Sequence, residues 1–565
     1  MKRGFIWRIR FITALFTLAA VALIGKLYLV QVVRGEEFAA RADRQYIRPA
    51  GGVFDRGSIF FADSDLAAAT LQEGFILALN PSLLEDPSGV YEQLSRRVPL
   101  ERGEFDAKAS KKNDPYEELA RRVPDRVGRE IAALELQGVI LERERWRFYP
   151  GGVLGAHTLG FVGFDGNVLR GRYGLERYYE DVLSRTESSL YANFFAEILQ
   201  GVRTAFGNER AAGDLITTLN ADVERELERT LKTLSERWGV RKAGGIIMDP
   251  NTGELYALGV YPAFDPNAFN EVQDQSIFGN PLVESVFEMG SIVKPLTVAA
   301  GLDAGVITAD TTYVDNGFIE SDGATIRNFD GKARGRVPVQ EILNQSLNTG
   351  VSFIVGKLGK ERFSDYMKKF GVGEETGIDL PGEVPGLVSN LESPRWLEHY
   401  TASFGQGVAF TPIATVRALG ALANNGRTVT PHLVKAIRQE NGIVRTISHG
   451  EGKQVIRPET AQEISRMLTV VVDEALVEGG IKLEGHSVAA KTGTAQIAKP
   501  SGGGYYDDRF LHTFFGYFPS YNPQFILFLF ALEPQGARYA SQTLTEPFHE
   551  LTEFLINYYE IPPDR

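Results

Sequence analysis

The chain has 565 residues, a formal net charge of −12, and a composition that is 43% hydrophobic and 11% aromatic. This length favours two or more folded domains, and the acidic balance lacks the basic footprint that nucleic-acid binding requires. The absence of cysteine excludes disulfide bonds, thiolate metal sites and a cysteine nucleophile. The seven histidines are scattered without a metal-ligand spacing, so we predict no metal site and no cofactor.

The N-terminal residues carry the pattern of a membrane anchor. Four basic residues precede an uncharged run from Phe11 to Gly25, and after Lys26 the apolar character resumes and continues to Val33. About 20 apolar residues cross a bilayer core, and a basic flank stays in the cytoplasm. We predict a cytoplasmic tail over 1–10 and a single transmembrane helix over 11–33, which place the protein in the cytoplasmic membrane with the bulk of the chain outside it. The alternative is a cleaved signal peptide, because Ala-Val-Ala at 20–22 resembles a cleavage site.

The region that follows, 34–212, is predicted to be elongated and α+β. Short strand-like runs alternate with charged helical stretches such as 114–136. Breaks rich in Gly and Pro at 49–52 and 149–152 indicate many turns. The region has no dense group of catalytic residue types, so we predict that it is non-catalytic.

A second region, 213–565, is predicted to be an α+β domain with an antiparallel sheet. It opens with a strand at 215–219 and a helix at 221–238. A hairpin follows, because two β-rich runs flank a turn of Pro, Asn, Thr and Gly. The hairpin strands and three later strands are predicted at 243–248, 254–260, 488–496, 513–518 and 525–532. A Ser-Gly-Gly-Gly run at 501–504 is predicted to be a turn between strands, and the aromatic cluster at 510–518 is predicted to be core.

Three short motifs in the second region carry its chemistry, and the first is Ser291-Ile292-Val293-Lys294. Residues i and i+3 share one face of a helix, so Lys294 can lie beside the Ser291 hydroxyl. A serine hydroxyl needs a neighbouring base to act as a nucleophile, and a lysine is that base only when it is neutral. Taken alone, the pattern is more often a capped helix with a surface lysine.

The second motif is Ser346-Leu347-Asn348. In an extended or turn segment, the hydroxyl at i and the amide at i+2 point the same way. They can relay a proton and hold a substrate amide. Taken alone, the motif is better explained as a polar turn at the end of a helix.

The third motif is Lys491-Thr492-Gly493-Thr494, which follows a strand-like run. Alternation in a strand puts Lys491 and Gly493 on one face and the two threonines on the other. A glycine inside a strand commonly allows a ligand backbone to approach closely. A positive lysine near threonine hydroxyls can hold a carboxylate, although an exposed hairpin edge would show the same residues.

The first and second motifs are 55 residues apart, and the second and third are 145 residues apart. Three such motifs in this order are typical of penicillin-binding proteins and serine β-lactamases. Nearly the whole chain resembles a class B (monofunctional) penicillin-binding protein. The resemblance implies a transmembrane helix, an elongated non-catalytic pedestal of the dimerisation type over 34–212, and a serine transpeptidase domain over 213–565 whose antiparallel sheet is packed by helices. The blocks that carry it, besides the motifs, lie at 147–150, 157–163, 174–176, 249–254, 376–381, 404–407 and 512–516.

The resemblance implies catalytic roles for residues of all three motifs. Ser291 would attack the carbonyl between the two terminal D-alanines of a peptidoglycan stem peptide, with Lys294 as its base. Ser346 would pass the proton to the leaving group, and the backbone N–H groups of Ser291 and Thr494 would form the oxyanion hole. An amine of a neighbouring stem peptide would then resolve the acyl-serine, and β-lactams would mimic the donor peptide.

The resemblance also implies the substrate-binding residues. Asn348 would bind the substrate amide, and the run Lys491-Thr492-Gly493-Thr494 would bind the terminal carboxylate. Three positions depart from the family pattern. Met289 stands where proline is usual, Leu347 is bulkier than the usual middle residue, and 60–64 lacks the usual Asp-Arg-Asn-Gly continuation. The first two bear on inhibitor affinity, and the third concerns only the pedestal.

A β-lactamase is the nearest alternative in chemistry. Glu341-Ile342-Leu343-Asn344 has the look of a deacylating-glutamate motif, but it precedes Ser346 instead of following it. We therefore interpret Glu341 as an ordinary helix residue. An anchor and a long pedestal also make little sense for a scavenging hydrolase.

The implied function is that of a peptidoglycan D,D-transpeptidase, with a division-type role favoured over an elongation-type role and carboxypeptidase activity as a possible side reaction. The implied partners are a multi-spanning lipid II polymerase of the SEDS family, contacted through the anchor and pedestal, and other division or elongation membrane proteins. A different class of function, a catalytically dispensable scaffold or a β-lactam-binding receptor, stays open. A tail of ten residues leaves no room for a cytoplasmic signalling module.

Overall fold

The computed structural model describes residues 54–185 and 212–565, apart from 64, 167, 500, 501 and 503. The predicted cytoplasmic tail and transmembrane anchor, 1–33, lie outside the described residues. Within the ranges that are described, no helix has both the length and the apolar character needed to cross a membrane.

The first described segment, 54–185, contains antiparallel strand pairs and short helices. Its strands are β1 (Ile59–Phe60), β2 (Ala67–Leu79), β3 (Glu117–Pro124), β4 (Val139–Phe148), β5 (Val162–Asp165) and β6 (Val168–Gly171). Its helices are α1 (Pro87–Ser95), α2 (Arg102–Ala109), α3 (Asp125–Ala132), α4 (Ala156–Leu159), α5 (Gly174–Tyr178) and α6 (Glu180–Leu183). The long strand β2 pairs with both β3 and β4, and a small core that includes Leu77, Phe105 and Ile131 fills the space under them.

The prediction of a charged helical stretch over 114–136 is wrong for its first half. Residues Glu117–Pro124 form β3, and the helix begins only at Asp125. In β3 the side chain of Val123 is buried in the small core, and Leu119 and Ala120 pack against the same core. Pairing with β2 outweighs the charged composition of the segment.

A buried ion cluster joins three separated parts of this segment. The Glu176 carboxylate accepts hydrogen bonds from Nε of Arg56 at 2.6 Å and from Nε of Arg147 at 2.5 Å. The three side chains are at most 4% exposed. Burial opposes the charged form of Glu176, yet the two guanidinium groups hold its pKa below the usual range. The blocks at 147–150 and 174–176 therefore meet in one structural cluster.

The second described segment, 212–565, contains the remaining elements. Its strands are β7 (Gly213–Thr217), β8 (Lys242–Met248), β9 (Leu255–Tyr261), β10 (Thr312–Asp315), β11 (Phe318–Ser321), β12 (Ala324–Arg327), β13 (Gly335–Pro338), β14 (Arg427–Thr428), β15 (Val434–Gln439), β16 (Val444–Thr446), β17 (Lys453–Gln454), β18 (Ala489–Ala498), β19 (Tyr505–Phe518) and β20 (Phe525–Leu532). Its helices are α7 (Ala221–Trp238), α8 (Pro281–Glu284), α9 (Lys294–Asp303), α10 (Gln340–Asn344), α11 (Asn348–Leu358), α12 (Lys360–Lys369), α13 (Trp396–Ala402), α14 (Pro412–Ala423), α15 (Pro458–Val470), α16 (Ala540–Thr543) and α17 (Thr545–Tyr558).

Two sheets organise these elements. One has seven strands in the order β16-β15-β7-β1-β2-β3, with β4 paired to β2, so strands of the second segment extend the sheet of the first. The other has five antiparallel strands in the order β18-β19-β20-β8-β9. The predicted antiparallel sheet, the helix over 221–238 and the hairpin of β8 and β9 are confirmed.

Helices cover both faces of the five-stranded sheet. All eight residues of β20 are buried, as expected for a central strand with no solvated face. In β8, a Cβ on Gly245 would contact Leu227 of α7, whereas one on Gly244 would contact Leu282 of α8. Successive residues of a strand point to opposite faces, so α7 and α8 lie on opposite sides of the sheet. The third motif lies on β18, at the edge of this sheet.

Candidate active site

Ser291 lies on a tight turn between the sheet and a helix. A 3₁₀ turn, Gly290–Val293, leads directly into α9 at Lys294. Gly290 has a φ of 64°, and a Cβ there would lie 3.0 Å from the Thr494 carbonyl oxygen. The turn therefore requires glycine at this position, because both the left-handed backbone and the close approach to β18 disfavour a side chain.

The residue before the turn, Met289, is packed into the core. Its side chain is 1% exposed, and its carbonyl oxygen accepts a 3.0 Å hydrogen bond from the Thr513 hydroxyl of β19. The buried Met289 side chain therefore occupies the position of the usual proline by apolar packing. The hydrogen bond from Thr513 links the turn to the sheet. The Ser291 side chain is half-buried, and its hydroxyl makes no hydrogen bond with any described residue.

Lys294 is fully buried behind this turn. Its Nζ donates to the Ser346 carbonyl oxygen at 2.5 Å and contacts the Ser346 hydroxyl oxygen at 3.1 Å. Burial lowers the pKa of Lys294 well below its ordinary value, and the positive charge of Lys491 lowers it further. The neutral amine, which is the form that can accept a proton, is favoured by these surroundings.

The second motif forms the connection between α10 and α11. Ser346 has a φ of 53°, an uncommon backbone conformation for a residue other than glycine. Leu347 is fully buried, so the bulk of the middle residue is accommodated in the core instead of the cleft. Asn348 begins α11, and its Nδ2 donates a 2.8 Å hydrogen bond to the carbonyl oxygen of Arg327 at the end of β12.

The third motif shows the predicted alternation along β18. Thr492 and Thr494 are half-buried and line a cleft, whereas Lys491 is 3% exposed and points behind it. The Lys491 ammonium donates to the Thr492 carbonyl oxygen at 3.0 Å, and burial lowers its pKa to about 8. The Thr494 hydroxyl oxygen accepts a 3.0 Å bond from the N–H of Ala540, at the start of α16.

Gly493 faces other residues of the protein and not a ligand. We expected a ligand backbone to approach this residue, but the space over it is filled by the protein itself. A Cβ at Gly493 would lie 2.9 Å from the Met289 carbonyl oxygen and 3.0 Å from Cγ2 of Ile292. The glycine therefore permits the turn that carries Ser291, Gly290–Val293, to pack directly on β18. This turn is called the nucleophile turn below.

The three motifs converge on one cleft of about 440 Å³. Its lining contains five of the predicted site residues, Ser291, Ser346, Asn348, Thr492 and Thr494. The buried Lys294, Lys491 and Gly493 are not part of the lining. The other residues of the lining are Arg327, Phe329, Phe404, Gln406, Gln496, Phe510, Arg538, Tyr539, Ala540 and Ser541. Phe510, which we predicted to be core, is half-buried and belongs to the cleft, whereas the rest of that aromatic cluster is core.

A second segment, 404–407, braces the nucleophile turn. Gly290 donates its N–H to the Gly405 carbonyl oxygen at 3.2 Å. One oxygen of Glu288 accepts from the Gly407 N–H at 3.0 Å and from the Tyr505 hydroxyl at 3.1 Å. Burial raises the pKa of Glu288 above its usual value. The sequence block at 404–407 was quoted for its resemblance, but no sequence signal indicated that it contacts the turn.

Comparison with known families agrees with this site. The profile of the family described as penicillin binding protein transpeptidase domain matches residues 243–553, which include the three motifs and the whole cleft lining. The stage V sporulation protein D of Bacillus subtilis is 28% identical over 555 residues, which cover 96% of this chain and 84% of that protein. The penicillin-binding protein PbpB of Mycolicibacterium smegmatis is 30% identical over 470 residues, covering 80% of this chain and 71% of that protein.

A relative named as an enzyme and a solved structure extend the comparison. The probable peptidoglycan D,D-transpeptidase PenA of Neisseria gonorrhoeae is 26% identical over 572 residues, covering 99% of this chain and 94% of that protein. The crystal structure of penicillin-binding protein 3 from Mycobacterium tuberculosis in complex with aztreonam has a TM-score of 0.69 at 23% identity. It covers 91% of this chain and 98% of that chain, and at this identity it shows a common fold.

The mixed α+β fold and the serine on its turn beside a buried lysine suit acyl transfer through a serine. The chain belongs to the penicillin-binding protein transpeptidase family, as a class B member.

Proposed function

We propose that the chain is a peptidoglycan D,D-transpeptidase that cross-links stem peptides through an acyl-serine at Ser291 and is acylated there by β-lactams. The observation that carries this function is the placement of Ser291 and Lys294 at the cleft. An unbonded serine hydroxyl faces the cleft, and a fully buried lysine lies behind it with its pKa lowered by burial. The names of the relatives and the aztreonam complex of the structural neighbour support the same reaction.

The first half of the reaction forms the acyl-enzyme. Neutral Lys294 takes the proton from Ser291 as its oxygen attacks the carbonyl between the terminal D-alanines. The developing oxyanion is stabilised by the backbone N–H groups of Ser291 and Thr494. Ser346, bonded to Lys294, passes the proton to the nitrogen of the leaving D-alanine, so the C–N bond breaks and a serine ester remains.

The second half transfers the acyl group. An amine of a neighbouring stem peptide attacks the ester carbonyl, gives up a proton through the same relay, and releases the Ser291 hydroxyl. During both halves, Asn348 holds the substrate amide. The hydroxyls of Thr492 and Thr494 hold the terminal carboxylate, and Lys491, buried behind them, supplies positive charge without lining the cleft.

We infer the location from the N-terminal pattern and the partners from the resemblance to class B penicillin-binding proteins. We infer a cytoplasmic tail over 1–10, a transmembrane helix over 11–33, a pedestal over 34–212 and a transpeptidase domain over 213–565. The body lies outside the cytoplasmic membrane and works in septal wall synthesis with a lipid II polymerase of the SEDS family and other division proteins. In intact spheroplasts, added protease should digest the full-length chain, and deletion of 1–33 should abolish co-purification with the polymerase. Protection from the protease would contradict the topology.

The test of the chemistry is labelling of the purified full-length chain with fluorescent penicillin, alongside Ser291→Ala and the matched control Ser541→Ala. Ser541 also lines the cleft but has no proposed role. We expect one equivalent of stable adduct in the parent and the control and none in Ser291→Ala. Rapid turnover without accumulation would indicate a β-lactamase. Labelling that survives Ser291→Ala would refute Ser291 as the nucleophile.

A further inference from the structure

The charge of the cleft differs in sign from that of the chain. The chain has a formal net charge of −12, yet the cleft lining contains two arginines, Arg327 and Arg538, and no aspartate or glutamate. One further cation, Lys491, is buried behind the lining. A cleft of this kind concentrates anionic ligands.

Both arginines are held by hydrogen bonds of their backbones. Their guanidinium groups lie over aromatic rings, that of Arg327 over Phe318 at 5.6 Å and that of Arg538 over Tyr539 at 5.7 Å. The Arg327 carbonyl oxygen accepts from Asn348, and the Arg538 N–H donates to Oε1 of Gln542 at 3.0 Å. Both side chains are exposed, and neither guanidinium forms an ion pair with a carboxylate of residues 54–185 or 212–565. The fold thus fixes the position of each arginine without neutralising its charge.

A contact between two aromatic rings brings these arginines to the same end of the cleft. Phe329, two residues after Arg327, meets Tyr539, the residue after Arg538, with ring centroids 5.8 Å apart in an edge arrangement. The hairpin that ends with β12 and the loop between β20 and α16 therefore touch. Neither segment belongs to the three motifs.

We propose that Arg327 and Arg538 form a specificity site for a second carboxylate of the substrate, distinct from the terminal carboxylate. The hydrogen bond between Asn348 and the Arg327 backbone indicates which end of the substrate carries that carboxylate. The backbone carbonyl oxygen of Arg327 accepts a hydrogen bond from the Asn348 side chain. In the proposed reaction, Asn348 holds the amide on the acyl side of the scissile bond. An anion beside Arg327 therefore belongs to the stem residue that precedes the two D-alanines. This inference rests on the proposed function and names its substrate class: stem peptides whose third residue is a diamino acid with a free side-chain carboxylate.

Two penicillins that differ by one carboxylate isolate this site. Benzylpenicillin and α-carboxybenzylpenicillin share the ring carboxylate, which mimics the peptide terminus, and differ only at the acyl side chain. Second-order acylation rates are measured for the full-length parent, Arg327→Gln/Arg538→Gln and Arg327→Glu/Arg538→Glu. The control is Arg126→Gln, an exposed arginine on α3 outside the cleft lining. We expect the ratio of the two rates, carboxylated over plain, to fall on the order of tenfold in the Gln variant and further in the Glu variant.

The same comparison can be made with peptide donors. Two pentapeptide stems are compared that are identical except for the third residue, whose side chain ends in a free carboxylate in one and in a carboxamide in the other. The parent should favour the carboxylate, and added salt should weaken the preference in the parent but not in the Gln variant. The variant with both residues changed to Lys keeps the charge and should keep most of the preference.

The outcomes separate this inference from the proposed function. An unchanged ratio with benzylpenicillin acylation retained would overturn the specificity site. An equal fall for both penicillins would also overturn it, because it would assign the arginines to the shared ring carboxylate or to the fold. If the Gln variant fails to react with benzylpenicillin, the two single variants are measured against the same criteria. No acylation of the parent by either compound would instead count against the proposed function.

Discussion

Gly493 is the position where one added carbon is expected to disturb the nucleophile turn. A Cβ there would lie 2.4 Å from the hydroxyl oxygen of Thr513. It would also lie 2.9 Å from the carbonyl oxygen of Met289 and 3.0 Å from Cγ2 of Ile292. Because Met289 and Ile292 flank Ser291, the turn has to move before an alanine fits.

The expected size of the effect follows from these contacts. Overpacking costs about 1–3 kcal/mol, and the lower conformational entropy of alanine in the unfolded chain returns about 0.4–1 kcal/mol. Gly493→Ala should therefore lower the free energy of unfolding by about 1–2 kcal/mol. A shift of about 1 Å at a reacting group costs on the order of a hundredfold in rate, so acylation by fluorescent penicillin should fall by about that factor.

The assay combines urea unfolding with acylation kinetics, and Gly420→Ala is the control. At Gly420, a buried glycine of α14, the nearest atom to an added Cβ is 3.4 Å away, which is an ordinary contact. That variant should be at least as stable as the parent and should keep its acylation rate. Thr513→Ala removes the closest contact but also the hydrogen bond to Met289, so Gly493→Ala is compared in the two backgrounds and should cost less in Thr513→Ala than in the parent. Parental acylation by Gly493→Ala would refute the steric reasoning.

Three further predictions concern buried charges. Glu176→Gln leaves Arg147 buried without an ionic partner and Arg56 paired only with the partly exposed Glu180, and should cost about 3–5 kcal/mol in urea unfolding. Asp106→Asn, in an exposed pair on α2, should cost under about 1 kcal/mol. The pKa of Glu224 is raised from 4.5 to about 8 by burial and a second carboxyl one turn along, so its stabilisation is present below pH 4.5 and lost as the pH rises towards 8; Glu224→Gln should flatten the pH dependence of unfolding over that range. Lys491→Met removes a positive neighbour and raises the pKa of Lys294, so the rise of the acylation rate with pH should move to higher pH, and an unmoved profile would contradict this coupling.

Strong local periodicity made much of the catalytic fold predictable. The helix over 221–238 and the strand over 525–532 were found at the predicted residues, because each has a regular apolar pattern and clear boundaries. The strand over 117–124 was missed because its charged residues suit a solvated helix. Its partner, β2, ends 38 residues earlier in the chain, and such pairing leaves no local signal.

The motif residues of the site were predictable, but their surroundings were not. Strand alternation placed the two threonines of the third motif on one face and Lys491 on the other, as the structure shows. The neighbours of Gly493 depend on how the nucleophile turn packs, which sequence spacing does not specify. Arg327 and Arg538 belong to a hairpin end and a loop with no motif of their own, so only the fold brings them to the cleft.

The motif residues form two layers that have different roles in the proposed reaction. Ser291, Ser346, Asn348 and the two threonines of β18 face the cleft and can touch substrate. The two lysines lie behind them, fully or almost fully buried, and burial lowers the pKa of both. A buried cation next to a buried base keeps that base neutral, and the serine hydroxyls connect it to the reacting atoms. Changes to the buried layer should therefore alter the pH dependence of acylation, whereas changes to the cleft lining should alter the choice of substrate.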